Sequence, residues 1–146
     1  DDRIDVIATD HAPHTWEEKQ HVYTKAPSGG PLVQHSLVIM LENFRNGKIS
    51  LEKIVEKMCH NPAILFQIEK RWFIREGYKA DLVLVDLKEN FTVSKENILY
   101  KCGWSPLEGT EFHSKVTHTF VNGHLVFENG KVSEGKFGER LLFDRD

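Results

Sequence analysis

A short apolar run, Ile4-Asp5-Val6-Ile7-Ala8, ends directly in Thr9-Asp10-His11-Ala12-Pro13-His14, and no helical pattern follows until Pro31. This arrangement limits the possible folds more than any other feature. Residues 4–8 predict a short buried strand that carries an Asp and two His to its C-terminal tip. In barrels and open α/β sheets, that end of the strands gathers ligands and chemistry. The connection over 9–31 holds Pro13, Pro27 and Ser28-Gly29-Gly30-Pro31. It is longer than the roughly 12–15 residues beyond which a structureless loop is usually functional or disordered.

Helical patterns come next. Pro31 suits the first position of a helix, where its missing N–H costs little. Residues 32–44 then predict a helix with little polar face and Gly47 near its C-terminus. Ser50 predicts an N-cap for a second helix, whose Leu51, Ile54, Val55 and Met58 share one face. Asn61 predicts the cap of a short third helix over 62–67. The texture changes near Arg71, and β-type runs follow at 82–85, 91–93, 116–121 and 124–127. Asn122-Gly123 is a strong hairpin signal and Asn129-Gly130 marks another turn. Residues 103–113 read as a loop between strands. The boundary near residues 68–75 divides the chain into 1–70 and 71–146.

Composition narrows the function classes. With 19 Lys and Arg against 22 Asp and Glu, the net charge is -3, so nothing favours nucleic acid or an anionic membrane as partner. No apolar run approaches the roughly 20 residues of a membrane span. Asp1-Asp2-Arg3 does not open a secretory signal. Cys59 and Cys102 form no close-spaced pair, which predicts buried thiols in a reducing, cytoplasmic setting. A start at Asp that enters a strand pattern almost at once fits a processed terminus or a fragment.

Asp10 is the sharpest chemical candidate. A carboxylate at a strand tip can bind a metal or shuttle a proton; the alternative is a loop-capping Asp. His11 and His14 could join it in a local metal site, but Pro13 disrupts their spacing. His14 could equally contact an anionic substrate or pack within the loop. Ser28-Gly29-Gly30-Pro31-Leu32 places small residues before a helix N-terminus, where free N–H groups receive anions; the alternative is a flexible turn. His21, His35, His60, His113, His118 and His124 follow no ligand spacing. Trp16, Trp72 and Trp104 are expected to pack. No Walker loop, dinucleotide fingerprint or GxSxG elbow is present.

Taken together, Ala8 to His14, Glu17-Glu18-Lys19 and Lys25-Ala26-Pro27-Ser28-Gly29-Gly30-Pro31 resemble the dihydroorotases of the amidohydrolase superfamily. Asn61-Pro62-Ala63-Ile64-Leu65-Phe66, Gly77-Tyr78-Lys79-Ala80-Asp81-Leu82, Ser105-Pro106-Leu107-Glu108-Gly109 and Val121-Asn122-Gly123 extend the resemblance along nearly the whole chain. The resemblance implies an α/β fold: the C-terminal part of a (β/α)8 metal-dependent hydrolase barrel, followed by strands of a small β-sandwich domain. Residues 4–8 would be the last barrel strand and 32–44 would lie outside it.

The resemblance further implies that Asp10 is a metal ligand and general acid/base at one or two zinc ions. His14, with Ser28, Gly29 and Gly30, would hold the substrate's carboxylate. In the family the remaining ligands (a His-x-His pair, a bridging lysine and two further histidines) precede this segment. The isolated chain is therefore expected to be inactive. The implied reaction is reversible hydrolysis of L-dihydroorotate to N-carbamoyl-L-aspartate in pyrimidine biosynthesis, with a small molecule as substrate. Other cyclic-amide hydrolases (dihydropyrimidinase, hydantoinase, allantoinase) and a non-catalytic dihydroorotase-like subunit are the alternatives. A homodimer and association with aspartate carbamoyltransferase stay open as partners.

Overall fold

The structure, a computed structural model, describes residues 2–145. Its helices are α1 (Trp16–Lys19), α2 (Ser36–Arg45), α3 (Leu51–Val55) and α4 (Asn61–Leu65), with a π-helical turn, Glu56–His60, joining the last two. The strands are β1 (Leu82–Asp86), β2 (Phe91–Thr92), β3 (Glu111–Phe112), β4 (Lys115–Val121), β5 (His124–Glu128) and β6 (Lys131–Val132). Among the described residues no helix is long and apolar enough to cross a membrane.

The helix expected over 32–44 begins later, at Ser36. The Leu32 carbonyl accepts from the His35 N–H only three residues on, and the Ser36 hydroxyl donates to the Val33 carbonyl. These bonds close one tight turn before the α-ladder starts with the Ile39 N–H to the His35 carbonyl. Val38 on α2 then packs with Val93 and Phe112, surrounded by Ile39, Phe91, Ile98, Leu107 and Val116. This cluster seats α2 on the β2–β3 ribbon and the start of β4, since removing such side chains from water is the main favourable term in packing.

The second helix starts as expected, with the Ser50 side chain accepting from the Lys53 N–H. The restart at Asn61 does not occur. His60 and Asn61 both keep helical backbone angles, and the helix continues through the π turn into α4. Pro62 explains the local change of ladder. The Asn61 N–H bonds back five residues to the Glu56 carbonyl. At the same spacing Lys57 would need an N–H from Pro62, which has none. The Ile7 N–H takes the Lys57 carbonyl instead, at 3.0 Å.

That bond also corrects the expected strand. Residues 4–8 are not in a β-strand. A barrel strand needs neighbours on both sides, and no described segment pairs with this one. Ile7 instead bonds the helix, and the Asn61 side-chain amide donates to the Asp5 carbonyl at 2.7 Å.

The β region follows its turn signals. β1, β4, β5 and β6 form one antiparallel sheet in that order, and β2 pairs with β3. Asn122 (φ 52°) and Gly123 (φ 82°) join β4 to β5, with Val121 opposite His124. Two left-handed residues suit a two-residue hairpin because their twist matches that of the strands. Asn129 (φ 46°) and Gly130 (φ 88°) repeat the device between β5 and β6.

Arg71 fastens the sheet to the helices. Its guanidinium is buried and donates to Asp81 Oδ2 at 2.5 Å, while Asp81 Oδ1 accepts from the Asn122 N–H at 2.8 Å. The Asn122 side chain in turn donates to the Phe137 carbonyl. The tail beyond it returns to the end of the helices, with the Glu69 N–H on Leu142 and the Asp144 N–H on Gln67. Asp81→Ala removes the main partner of a buried cation, a change that costs about 3 kcal/mol. Urea unfolding should show that loss; an unchanged midpoint would mean that Arg71 is satisfied without Asp81.

Candidate functional site

The residues after the first apolar run and the glycine loop are interlocked. Gly29 has φ 79°, and a Cβ built on it would lie 2.7 Å from the Ala12 Cβ. Only glycine allows both the left-handed backbone and this approach. Beside it the Ala12 N–H donates to the Gly30 carbonyl at 3.1 Å. Lys19 Nζ bridges the carbonyls of Pro27 (2.5 Å) and Gly29 (3.0 Å), which fixes the far side of the loop. Asp10, Ser28 and Gly29 are exposed along this seam, and Gly30 is half-buried. Asp10 is itself left-handed at φ 45°, an uncommon state for a residue with a Cβ.

His14 is oriented by two elements. Thr15 caps α1 through a capping box: its hydroxyl accepts from the Glu18 N–H, and Glu18 Oε2 accepts from the Thr15 N–H at 2.8 Å. That backbone bond, first among several causes, holds the Glu18 carboxyl below its usual range. The same Oε2 lies 3.6 Å from His14 Nδ1. The His14 carbonyl accepts from Trp104 Nε1 at 2.8 Å, and Trp104 meets Trp16 edge-on. Trp104 thus packs as expected, whereas Trp16 touches it from an exposed position.

At the start of the helical segment the backbone donors meet side chains of the protein itself. The N–H groups of Leu32 and Val33 face His11 Nδ1 (3.1 and 3.4 Å), and that of Gln34 donates to the Tyr100 hydroxyl at 3.0 Å. These donors are occupied. The N–H groups of Ser28, Gly29 and Gly30 have no acceptor among the described residues, so any anion contact from this segment falls on them.

Asp10, His11 and His14 do not assemble a metal site. His11 uses Nδ1 on the two amides and His14 turns Nδ1 to Glu18. Among the described residues no group of three or more His, Cys, Asp or Glu is placed to hold a metal ion. A structural zinc needs four donors and a catalytic one about three from the protein. The residues present therefore do not fit zinc on their own.

Other histidines stack on rings or face carboxylates. His60 stacks on Phe73 and His118 lies near Glu128, while His113 faces Glu42. Burial acts to raise the Glu42 carboxyl, but the side-chain and backbone N–H of His113 outweigh it and hold that carboxyl low. His35 is fully buried, and burial pushes its pKa down. Cys59 and Cys102 are free and half-buried, and burial pushes the Cys59 thiol up.

Several residues that shape the site escaped the sequence reading. Lys19, Tyr100 and the cap of α1 are among them, together with the hydrogen-bonding roles of His11 and Trp104. The capping box was visible as Thr15-x-x-Glu18. Trp104 and Tyr100 lie 90 and 66 residues from their partners, and nothing local marks them.

Residues 1–126 match the amidohydrolase family. Over 145 residues the chain is 35% identical to a dihydroorotase from Pyrococcus abyssi, covering 99% of this chain and 35% of that protein. It is 38% identical over 141 residues to the multifunctional protein pyr1-3 of Dictyostelium discoideum, covering 96% of this chain and 6% of that protein. An L-hydantoinase (dihydropyrimidinase) from Arthrobacter aurescens superposes with a TM-score of 0.85 at 32% identity, over 94% of this chain and 32% of that one. The chain spans about a third of the length of the curated dihydroorotases it matches. With its α/β fold, part of a hydrolase barrel followed by antiparallel strands, the chain belongs to the amidohydrolase family.

Proposed function

We propose that this chain carries the proton-transfer and substrate-carboxylate groups of a dihydroorotase, which reversibly hydrolyses L-dihydroorotate to N-carbamoyl-L-aspartate. The observation that carries this reading is the interlock of Ala12 with Gly29 and Gly30. It brings the Asp10 segment against a loop with three open N–H groups, next to His14. The similarity to dihydroorotases along nearly the whole chain supports the same reading.

The substrate is a cyclic amide that bears a carboxylate. His14 and the N–H groups of Ser28, Gly29 and Gly30 hold that carboxylate, which fixes the ring for attack. Water oxygen bonds to the ring carbonyl carbon and the C–N bond breaks. Asp10 accepts the proton from the attacking water and delivers it to the departing nitrogen. Asp10 would also supply one donor to a zinc ion, which would polarise the ring carbonyl, only in company with donors other than those of the described residues. Residues 1–70 belong to the barrel and 71–146 to a small β-domain, which reaches the site through Trp104.

Four measurements test this reading. In a full-length dihydroorotase carrying this segment, Asp10→Asn should lower kcat at least about 10²-fold with an unchanged unfolding midpoint. Near-normal turnover would remove Asp10 from the proton transfer. His14→Ala should raise KM for dihydroorotate by roughly 10-fold or more, the worth of one charged hydrogen bond. A matched panel of dihydroorotate, dihydrouracil and allantoin guards this result: preference for the neutral rings would favour the hydantoinase reading. The 146-residue chain alone should open no dihydroorotate, and measurable turnover would show that no outside ligand is needed.

A further inference from the structure

We infer that His11 is a positioning residue: its imidazole clasps the exit of the glycine loop and sets the three open N–H groups in register with Asp10. Its Nδ1 lies 3.1 Å from the Leu32 N–H and 3.4 Å from the Val33 N–H. Both partners are donors, so Nδ1 is an acceptor.

The clasp has a second half. The Tyr100 hydroxyl accepts from the Gln34 N–H at 3.0 Å and lies 3.2 Å from His35 Nδ1. The Tyr100 ring lies against His11, with centroids 5.1 Å apart. Three successive N–H groups are thus closed by two side chains in contact. Pro31, just before them, is fully buried and has no N–H to offer.

The consequence is a sharp edge between closed and open donors. Beyond Gly30 every backbone donor through Gln34 is absent or taken. Before it, Ser28, Gly29 and Gly30 are open. Residues 11 and 12 grip the chain on both sides of Pro31, through Leu32 and through the Gly30 carbonyl. Asp10 is the neighbour of this grip, so its carboxylate and the open donors are held on one frame. Loss of the His11 acceptor would free two further N–H groups beside the loop and release one side of the frame. What the frame positions rests on the dihydroorotase reading; the clasp itself does not.

Amide hydrogen exchange in the 146-residue chain reads the clasp directly. His11→Leu should speed exchange at Leu32 and Val33 by about tenfold, with Ile54 in α3 unchanged as the control for folding. His11→Asn, whose Oδ1 can replace Nδ1 as acceptor, should restore protection. Unchanged exchange in His11→Leu, or no rescue by Asn, overturns the clasp. In a full-length dihydroorotase carrying this segment, His11→Leu should raise KM for dihydroorotate about tenfold at nearly constant kcat, and Asn should reverse it. If exchange responds but KM does not, the positioning role is overturned. An insensitive KM in His14→Ala would sink the substrate reading instead and leave the exchange result standing.

Discussion

At residue 29 there is room for a hydrogen atom and nothing larger. The backbone there is left-handed, and the Ala12 Cβ occupies the space that a side chain would need. Two loops can therefore lie in van der Waals contact with a direct Ala12–Gly30 hydrogen bond between them. Everything else around the site is built onto that contact. Lys19 braces the loop from one side, His11 closes it from the other, and α1 grows from the residue after His14. Without the close approach, the carboxylate and the open N–H groups would sit on independent loops, each with its own entropy of ordering.

A second constraint is a donor that does not exist. Pro62 gives the long helix no N–H at the position where the π ladder needs one. The unmet Lys57 carbonyl becomes the anchor for Ile7, and the neighbouring Asn61 side chain holds Asp5. The segment that leads into Asp10 is thus tied to the helix at the proline. Buried carbonyls seldom go unpaired, so a proline in one element dictates where another element must lie.

Local signals were legible where the chemistry is local. Asn122-Gly123 and Asn129-Gly130 demand left-handed turns, and both join antiparallel strands. Ser50 caps its helix for the same reason. Gly29 and Gly30 were legible as a loop, but the partner that requires glycine, Ala12, was not. The apolar pattern of residues 4–8 resembles a strand, yet strand pairing is a property of neighbours that no periodicity reveals. The start of α2 was misplaced because Pro31 suits a helix N-terminus, while the Leu32–His35 and Ser36–Val33 bonds that make a turn there depend on tertiary packing. The donors at the helix start were illegible for a related reason: two acceptors distant in sequence, His11 and Tyr100, claim N–H groups that a free helix end would have left open.

Charge pairing separates the scaffold from the site. Lys57 is nearly buried and rests on Asp2 at 2.8 Å, and Arg71 on Asp81. Glu42 meets His113, and Lys115 meets Glu89. Each of these carboxylates has its cation or donor, which is what an ionised group within a fold requires. Asp10 has neither among the described residues, and its backbone sits in a conformation that costs free energy. The rest of the structure does not need that carboxylate for its own stability. The strain is held by the grip of residues 11 and 12 on the glycine loop. An unpaired acid on a strained but well-braced backbone is what proton transfer and metal ligation call for, because a paired one would have to be stripped of its partner before it could act.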